Sequence, residues 1–195
     1  MKYIIFDLEF NSAFSIDKRT KQLAKGDSNP LCPQEIIEIG AVKLNSKLEI
    51  EDTFKSFVQP KLYKRIHPKV KQKTKITKED LSNGLPIDEA IKMFRNWIEV
   101  EDFILCSWGK DDINELKRNC SFFKIKTHWI KQFCDIQNLC VKYLNNGNSQ
   151  QIGLKTAVQE FNIDTDYQFH KALNDSIYTA KIFKEIKNNS KDKNQ

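Results

Sequence analysis

Apolar residues dominate the opening stretch Tyr3-Ile-Ile-Phe-Asp-Leu-Glu-Phe10, and only two acids interrupt it. Side chains alternate along a strand, so this pattern predicts a strand over roughly Lys2 to Phe10, with Asp7 and Glu9 on one face. Ile4, Phe6, Leu8 and Phe10 line the other. The polar stretch from Asn11 to Pro33, closed by Pro30 and Pro33, reads as a long loop. Glu35 to Leu44 and Glu49 to Val58 read as two further strands joined by a hairpin turn at Asn45-Ser-Lys47. Pro60 ends the third strand and a basic connector follows.

Helical spacing takes over beyond that connector. Thr77 with Asp80 predicts a capped short turn around Glu79 to Ser82. Pro86 opens an amphipathic helix with Ile87, Ala90, Ile91, Phe94, Trp97 and Ile98 on one side. Phe103-Ile-Leu-Cys-Ser107 is apolar up to its terminal serine and short, the pattern of a buried central strand. Helices are expected from about Asp111, over Ile136 to Leu144, over Gly153 to Phe161, and through Ala172 to Ile186. Asn145-Asn-Gly-Asn148 should break the second of these. Three strands that can pair as a meander, followed by alternating helices and strands, predict an α/β fold: a mixed sheet flanked by helices. One domain over residues 1–187 is expected, with a polar, frayed tail over 188–195.

Composition narrows the class. At 195 residues, 39% apolar and 30% charged, the chain can bury a proper core without staples. No apolar run approaches a membrane span, and the N-terminus enters a strand directly, so neither a membrane anchor nor a secretory leader is expected. Five cysteines without a C-x-x-C pair argue against a disulfide framework and place the protein in a reducing cytoplasm. His128, Cys134 and Cys140 fit no familiar zinc spacing. The net charge of +6 favours a polyanionic partner, and basic residues cluster at Lys18-Arg-Thr-Lys21 and from Lys61 to Lys78. A solvated surface would explain those clusters equally well.

Two acids side by side in an apolar strand repel each other and lose solvation. A hard cation such as Mg²⁺ or Mn²⁺ compensates both costs. Further acids stand where they could join Asp7 and Glu9. Asp111 and Asp112 follow the buried strand at the start of a helix, where capping is the plainer explanation for at least one of them. His170 and Asp175 are five residues apart, about 140° on a helix, so they converge only if His170 precedes the helix.

The order Asp7, Glu9, a mid-chain Asp at a strand-to-helix junction, and His170-x₄-Asp175 resembles the DEDDh 3′–5′ exonucleases. Glu35-Ile-Ile-Glu-Ile-Gly-Ala-Val42, Thr77-Lys-Glu-Asp-Leu81 and Gly153-Leu-Lys-Thr-Ala-Val158 are similar to other parts of that family, so the resemblance runs from Lys2 to about Ile186. Glu35-Ile-Ile-Glu38 and Ser107-Trp-Gly-x-x-Asp112 look most like the Eri-1 and KapD-like exoribonuclease branch. That resemblance implies an RNase H-like fold and Asp112, not Asp111, as the third acid. It also implies two Mg²⁺ or Mn²⁺ ions on Asp7, Glu9, Asp112 and Asp175, with His170 as general base. The implied substrate is the 3′ end of single-stranded RNA, with DNA as the alternative, and the product is a nucleoside 5′-monophosphate. A haloacid-dehalogenase phosphatase is disfavoured because the second acid is Glu9 and no later Lys with paired acids completes that scheme. A non-catalytic nucleic-acid binder is disfavoured because all five positions are filled.

Overall fold

The computed structural model describes residues 2–100, 102–145 and 150–192. The first part of the chain forms β1 (Lys2–Ser12), β2 (Phe14–Ile16), β3 (Leu23–Lys25), β4 (Gln34–Leu44) and β5 (Ile50–Phe57). Three helices follow: α1 (Pro68–Thr74), α2 (Lys78–Ser82) and α3 (Ile87–Ile98). Next come β6 (Phe103–Ser107), α4 (Asp111–Phe122), β7 (Phe133–Asp135) and α5 (Ile136–Asn145). The chain closes with α6 (Leu154–Glu160) and α7 (Ala172–Asp192).

The main sheet has the order β5-β4-β1-β6-β7. β1 pairs antiparallel with β4 and parallel with β6, which makes it the central strand of a mixed sheet. The expected meander is therefore β1, β4 and β5, and the apolar run at Phe103–Ser107 lies inside the sheet as its composition requires. Period-two alternation sends Ile4, Phe6 and Leu8 to one face, where Ile91, Phe94 and Ile98 of α3 and Ile113, Leu116 and Cys120 of α4 cover them. Ile5, Val42, Leu44 and Cys106 face the other way, onto Ile136 of α5 and Ala180 and Phe183 of α7. Tyr178, Ile182 and Ile186 on a further side of α7 pack with Cys140, Ala157 and Val158 of α5 and α6. The result is a helix–sheet–helix sandwich. Among the described residues no helix is long and apolar enough to cross a membrane.

Several elements differ from the sequence expectation. The stretch from Asn11 to Pro33 is not structureless: β2 and β3 pair as a hairpin in it. Asp17 Oδ1 closes its turn by accepting from the Arg19 and Thr20 amides, a local device hidden within a polar composition. The basic connector contains α1, opened by Pro68 and capped by His67, whose Nδ1 accepts from the Lys69 amide. β7 is three residues long, too short for any period to reveal. The tail expected to fray from Asn188 continues as helix to Asp192, and 193–195 lie outside the described residues. The expected break at Asn145–Asn148 also lies mostly outside them, α5 ending at Asn145. The capped turn at Thr77 is present as a reciprocal capping box with Asp80.

Candidate active site

β1 carries its acids toward the α7 side of the sheet, on the face of Ile5 rather than that of Phe6. Its register with β4 sets Asp7 opposite Gly40 and Glu9 opposite Glu38, and a bulge follows between Glu9 and Phe10. Bulges increase local twist and often re-aim side chains beside functional sites. Gly40 explains how α7 reaches this face. A Cβ built there would stand 2.0 Å from the Leu173 amide nitrogen and 2.2 Å from the Ala172 carbonyl carbon. Only a residue without a side chain lets the first turn of α7 rest on the strand backbone. Glu38, fully buried on the same face, accepts from the Ala172 amide at 3.4 Å and faces Lys55 Nζ at 3.5 Å.

That docking delivers Asp175 and His170. Asp175 is buried in the first turn of α7, and its Oδ2 accepts from the His170 backbone amide at 3.1 Å. His170 precedes the helix with φ 62, a left-handed conformation that lets the chain double back so that imidazole and carboxylate converge. Ligand atoms of Glu9, His170 and Asp175 all lie within 4.8 Å of one another. The loop before His170 is anchored rather than free. The Tyr178 hydroxyl accepts from the Tyr167 amide at 2.8 Å and donates to its carbonyl at 2.7 Å, while Phe169 stacks on the Tyr178 ring.

Asp112 arrives from the opposite layer. Gly109, at φ +85, turns the chain between β6 and α4, and Ser107 Oγ donates to its carbonyl. Asp112 is then buried, with Oδ1 accepting from the Leu8 amide at 3.1 Å, between Asp7 and Glu9 in sequence. Its neighbour Asp111 is exposed. The structure thus brings together Asp7, Glu9, Asp112, Asp175 and His170, and it leaves Asp111 outside. Glu38 and Gly40 have functional positions that sequence reasoning left unassigned. Their signal was an acid and a glycine inside the apolar run from Ile36 to Val42.

Electrostatics in this cluster are unfavourable without a counter-charge. Burial, then the Asp112 and Asp175 carboxylates, hold the Asp7 carboxyl well above the ordinary carboxylate range. Burial and the same kind of repulsion push Glu9 up to about 8, with Lys171 opposing. Asp112 is pushed to about 7, chiefly by burial and against the Leu8 hydrogen bond. Asp175 is pushed to about 6, by burial and by Glu38. Partial burial, and then Lys73 and Lys155, lower the His170 pKa below the ordinary imidazole value. Asp175 Oδ1 is buried and has no hydrogen-bond partner. An orphaned carboxylate oxygen in a cluster of acids fits a hard divalent cation, which satisfies that oxygen and relieves the repulsion together.

Residues 4–183 match the family model described as RNase T, exonuclease. The chain belongs to this exonuclease family. Within it, the chain groups with the KapD-like 3′–5′ exonucleases. A probable 3′-5′ exonuclease KapD from Bacillus subtilis (strain 168) is 30% identical over 151 residues, which cover 77% of this chain and 72% of that protein. ERI1 exoribonuclease 2 from Xenopus laevis is 27% identical over 175 residues, 76% of this chain but 25% of that longer protein. Among solved structures, the nuclease domain of 3′hExo, a DEDDh family member bound to rAMP, matches with TM-score 0.81 at 22% identity, covering 96% of this chain and 92% of that one. Cell-death related nuclease 4 (CRN-4) matches with TM-score 0.78 at 15% identity, over 96% of this chain and 64% of the other. This exonuclease accordingly has the RNase H-like fold that the resemblance implied.

Proposed function

We propose that this exonuclease removes nucleoside 5′-monophosphates from the 3′ end of single-stranded RNA. In this reading, Asp7, Glu9, Asp112 and Asp175 hold two divalent cations, Mg²⁺ or Mn²⁺. The observation that carries it is the convergence of these acids, with pKa values raised by burial and mutual repulsion, around the partnerless Asp175 Oδ1. When bound, the cations would activate the attacking water and neutralise the leaving 3′-oxygen. His170 takes the proton from the water as its oxygen bonds to phosphorus and the P–O3′ bond breaks. A lowered pKa suits that task, because the imidazole must be unprotonated to accept. Its closeness to Glu9 and Asp175 supports the assignment. Asp175 also orients the histidine through the His170 amide, and Glu38 holds the start of α7 against the strand.

RNA is favoured over DNA because two of the similar proteins are an exoribonuclease and a nuclease domain bound to rAMP. DNA remains the alternative substrate, supported by the fold shared with an exonuclease I in complex with a dT13 oligonucleotide. One exonuclease domain over residues 1–187 accounts for the whole site. The reducing cytoplasm is the proposed location, in keeping with five unpaired cysteines. The test uses RNA and DNA of equal sequence, labelled at the 5′ end, with Mg²⁺, Mn²⁺ or EDTA. A ladder shortening from the 3′ end of RNA, faster than for DNA and abolished by EDTA, is expected. Faster loss of DNA would reassign the substrate, and turnover in EDTA would remove the cations from the mechanism.

A further inference from the structure

We infer that residues 61–75 form a preorganised track for the phosphate backbone of the substrate strand, upstream of the nucleotide being removed; this rests on the exonuclease reading above. Seven of these fifteen residues are Lys or Arg and none is acidic, so the segment holds more positive charge than the +6 of the entire chain. The charge of this protein is therefore local, which a general compositional bias toward lysine does not explain.

The backbone of this segment is fixed by two buried polar side chains. Glu35, 2% exposed, accepts from the amides of Lys61 at 2.6 Å, Leu62 at 3.0 Å and Tyr63 at 2.8 Å. Asn11, fully buried, donates to the carbonyls of Tyr63 at 2.6 Å and Arg65 at 3.0 Å and accepts from the His67 amide at 2.9 Å. Burying a carboxylate is costly, and a merely solvated lysine loop gains nothing from it. A loop that must present cations at set positions does gain, because ordering is then complete before the ligand arrives.

Position joins the segment to the site at both ends. Asn11 lies two residues beyond Glu9 on β1, so the part of the segment that it holds, Tyr63 to His67, lies by the end of the strand that carries the acids. At the far end the Lys73 carbonyl accepts from Gln168 Nε2 at 3.5 Å, two residues before His170. The side chains of Lys64, Arg65, Lys69, Lys71 and Lys73 are exposed, and among the described residues none of them is ion-paired with an acid. Arg65 lies over the Phe14 ring at 4.6 Å, which holds the guanidinium plane while leaving its N–H groups available to a phosphate.

The test measures binding of a fluorescent twelve-nucleotide single-stranded RNA as a function of salt, in an Asp7→Asn background that blocks turnover. Arg65→Ala with Lys73→Ala should weaken binding about tenfold and reduce the slope of log K against log salt by about 1.4, the share of two phosphate contacts on a single strand. Lys69→Ala with Lys73→Ala, which disturbs no aromatic contact, should act alike. Lys47→Ala, in the turn at the opposite end of the sheet, serves as the control and should change neither quantity. In the active protein, the KM for the same RNA should rise by the factor seen in binding. Hydrolysis by the wild type together with unaltered affinity and slope in both double variants would overturn the track alone. Absence of hydrolysis with the salt slope still dependent on Arg65 and Lys73 would overturn the exonuclease reading and leave the track standing.

Discussion

Asp111 and Asp112 are chemically identical, and consecutive helical residues differ in direction by about 100°. That rotation separates them: Asp112 points inward to the Leu8 amide and Asp111 outward to solvent. Asp112→Ala should therefore reduce turnover by at least about 10²-fold, while Asp111→Ala stays within a few-fold of the wild type. A crippled Asp111 variant would shift the assignment by one residue. His170 presents a different question, because its imidazole is exposed while its backbone is held by Asp175 and by the Tyr178-anchored loop. Replacing it by alanine should lower kcat about 10²–10⁴-fold with a much smaller effect on KM. The loss should shrink as pH rises, since hydroxide substitutes for the missing base. A near-normal rate at neutral pH would make the residue structural.

At the scale of elements, the site depends on how closely α7 approaches β4. Gly40→Ala inserts a methyl group that collides with backbone, not with a side chain that can swing aside. Overpacking of this kind costs about 1–3 kcal/mol. The helix start must retreat, and Asp175 and His170 move with it. The expected outcome is a folded protein, by circular dichroism, with a lowered Tm and turnover reduced at least about 10²-fold. Wild-type activity in Gly40→Ala would show that α7 tolerates displacement and that Glu38 and Gly40 are incidental. Much of this level was legible. Period-two and helical spacing placed β1, β4, β5, β6 and α3 close to their observed limits. β7 and the β2–β3 hairpin were not legible, because three-residue strands carry too few positions to establish a period and owe their pairing to neighbours.

For the whole molecule, the acid cluster links stability to pH and to divalent cations. The carboxyls of Glu9, Asp112 and Asp175 are raised to about 8, 7 and 6, each chiefly by burial, and Asp7 is raised as well. A carboxyl with a raised folded-state pKa stabilises the fold fully below its unfolded value near 4, and that contribution is lost as pH rises through the folded value. The cation-free protein should thus lose Tm steadily between about pH 4 and pH 8, by this contribution. Mg²⁺ should restore Tm by an amount that grows with pH, because it binds the ionised acids. Asp7→Asn should raise the cation-free Tm at pH 8 by about 2–4 °C while abolishing turnover, since it removes one repelling charge. Differential scanning calorimetry in EDTA and in Mg²⁺ across this range provides the check. A flat difference between the two conditions would mean that the acids are not the cation's ligands.

The sequence by itself determined the α/β class, the meander, the placement of Asp7 and Glu9 on one strand face, and the order of the remaining acids and His170. These are consequences of local periodicity and motif order, which the chain carries whether or not it is folded. Only the tertiary structure decided which face of the sheet α7 would cover, and with it the meeting of Asp175, His170 and Glu9. It also decided that Glu38 and Asn11, ordinary polar residues in the chain, are buried and hold α7 and the 61–67 loop in place. Such roles arise from contacts between residues tens of positions apart, and no local pattern records them because burial and pairing are properties of the packed molecule.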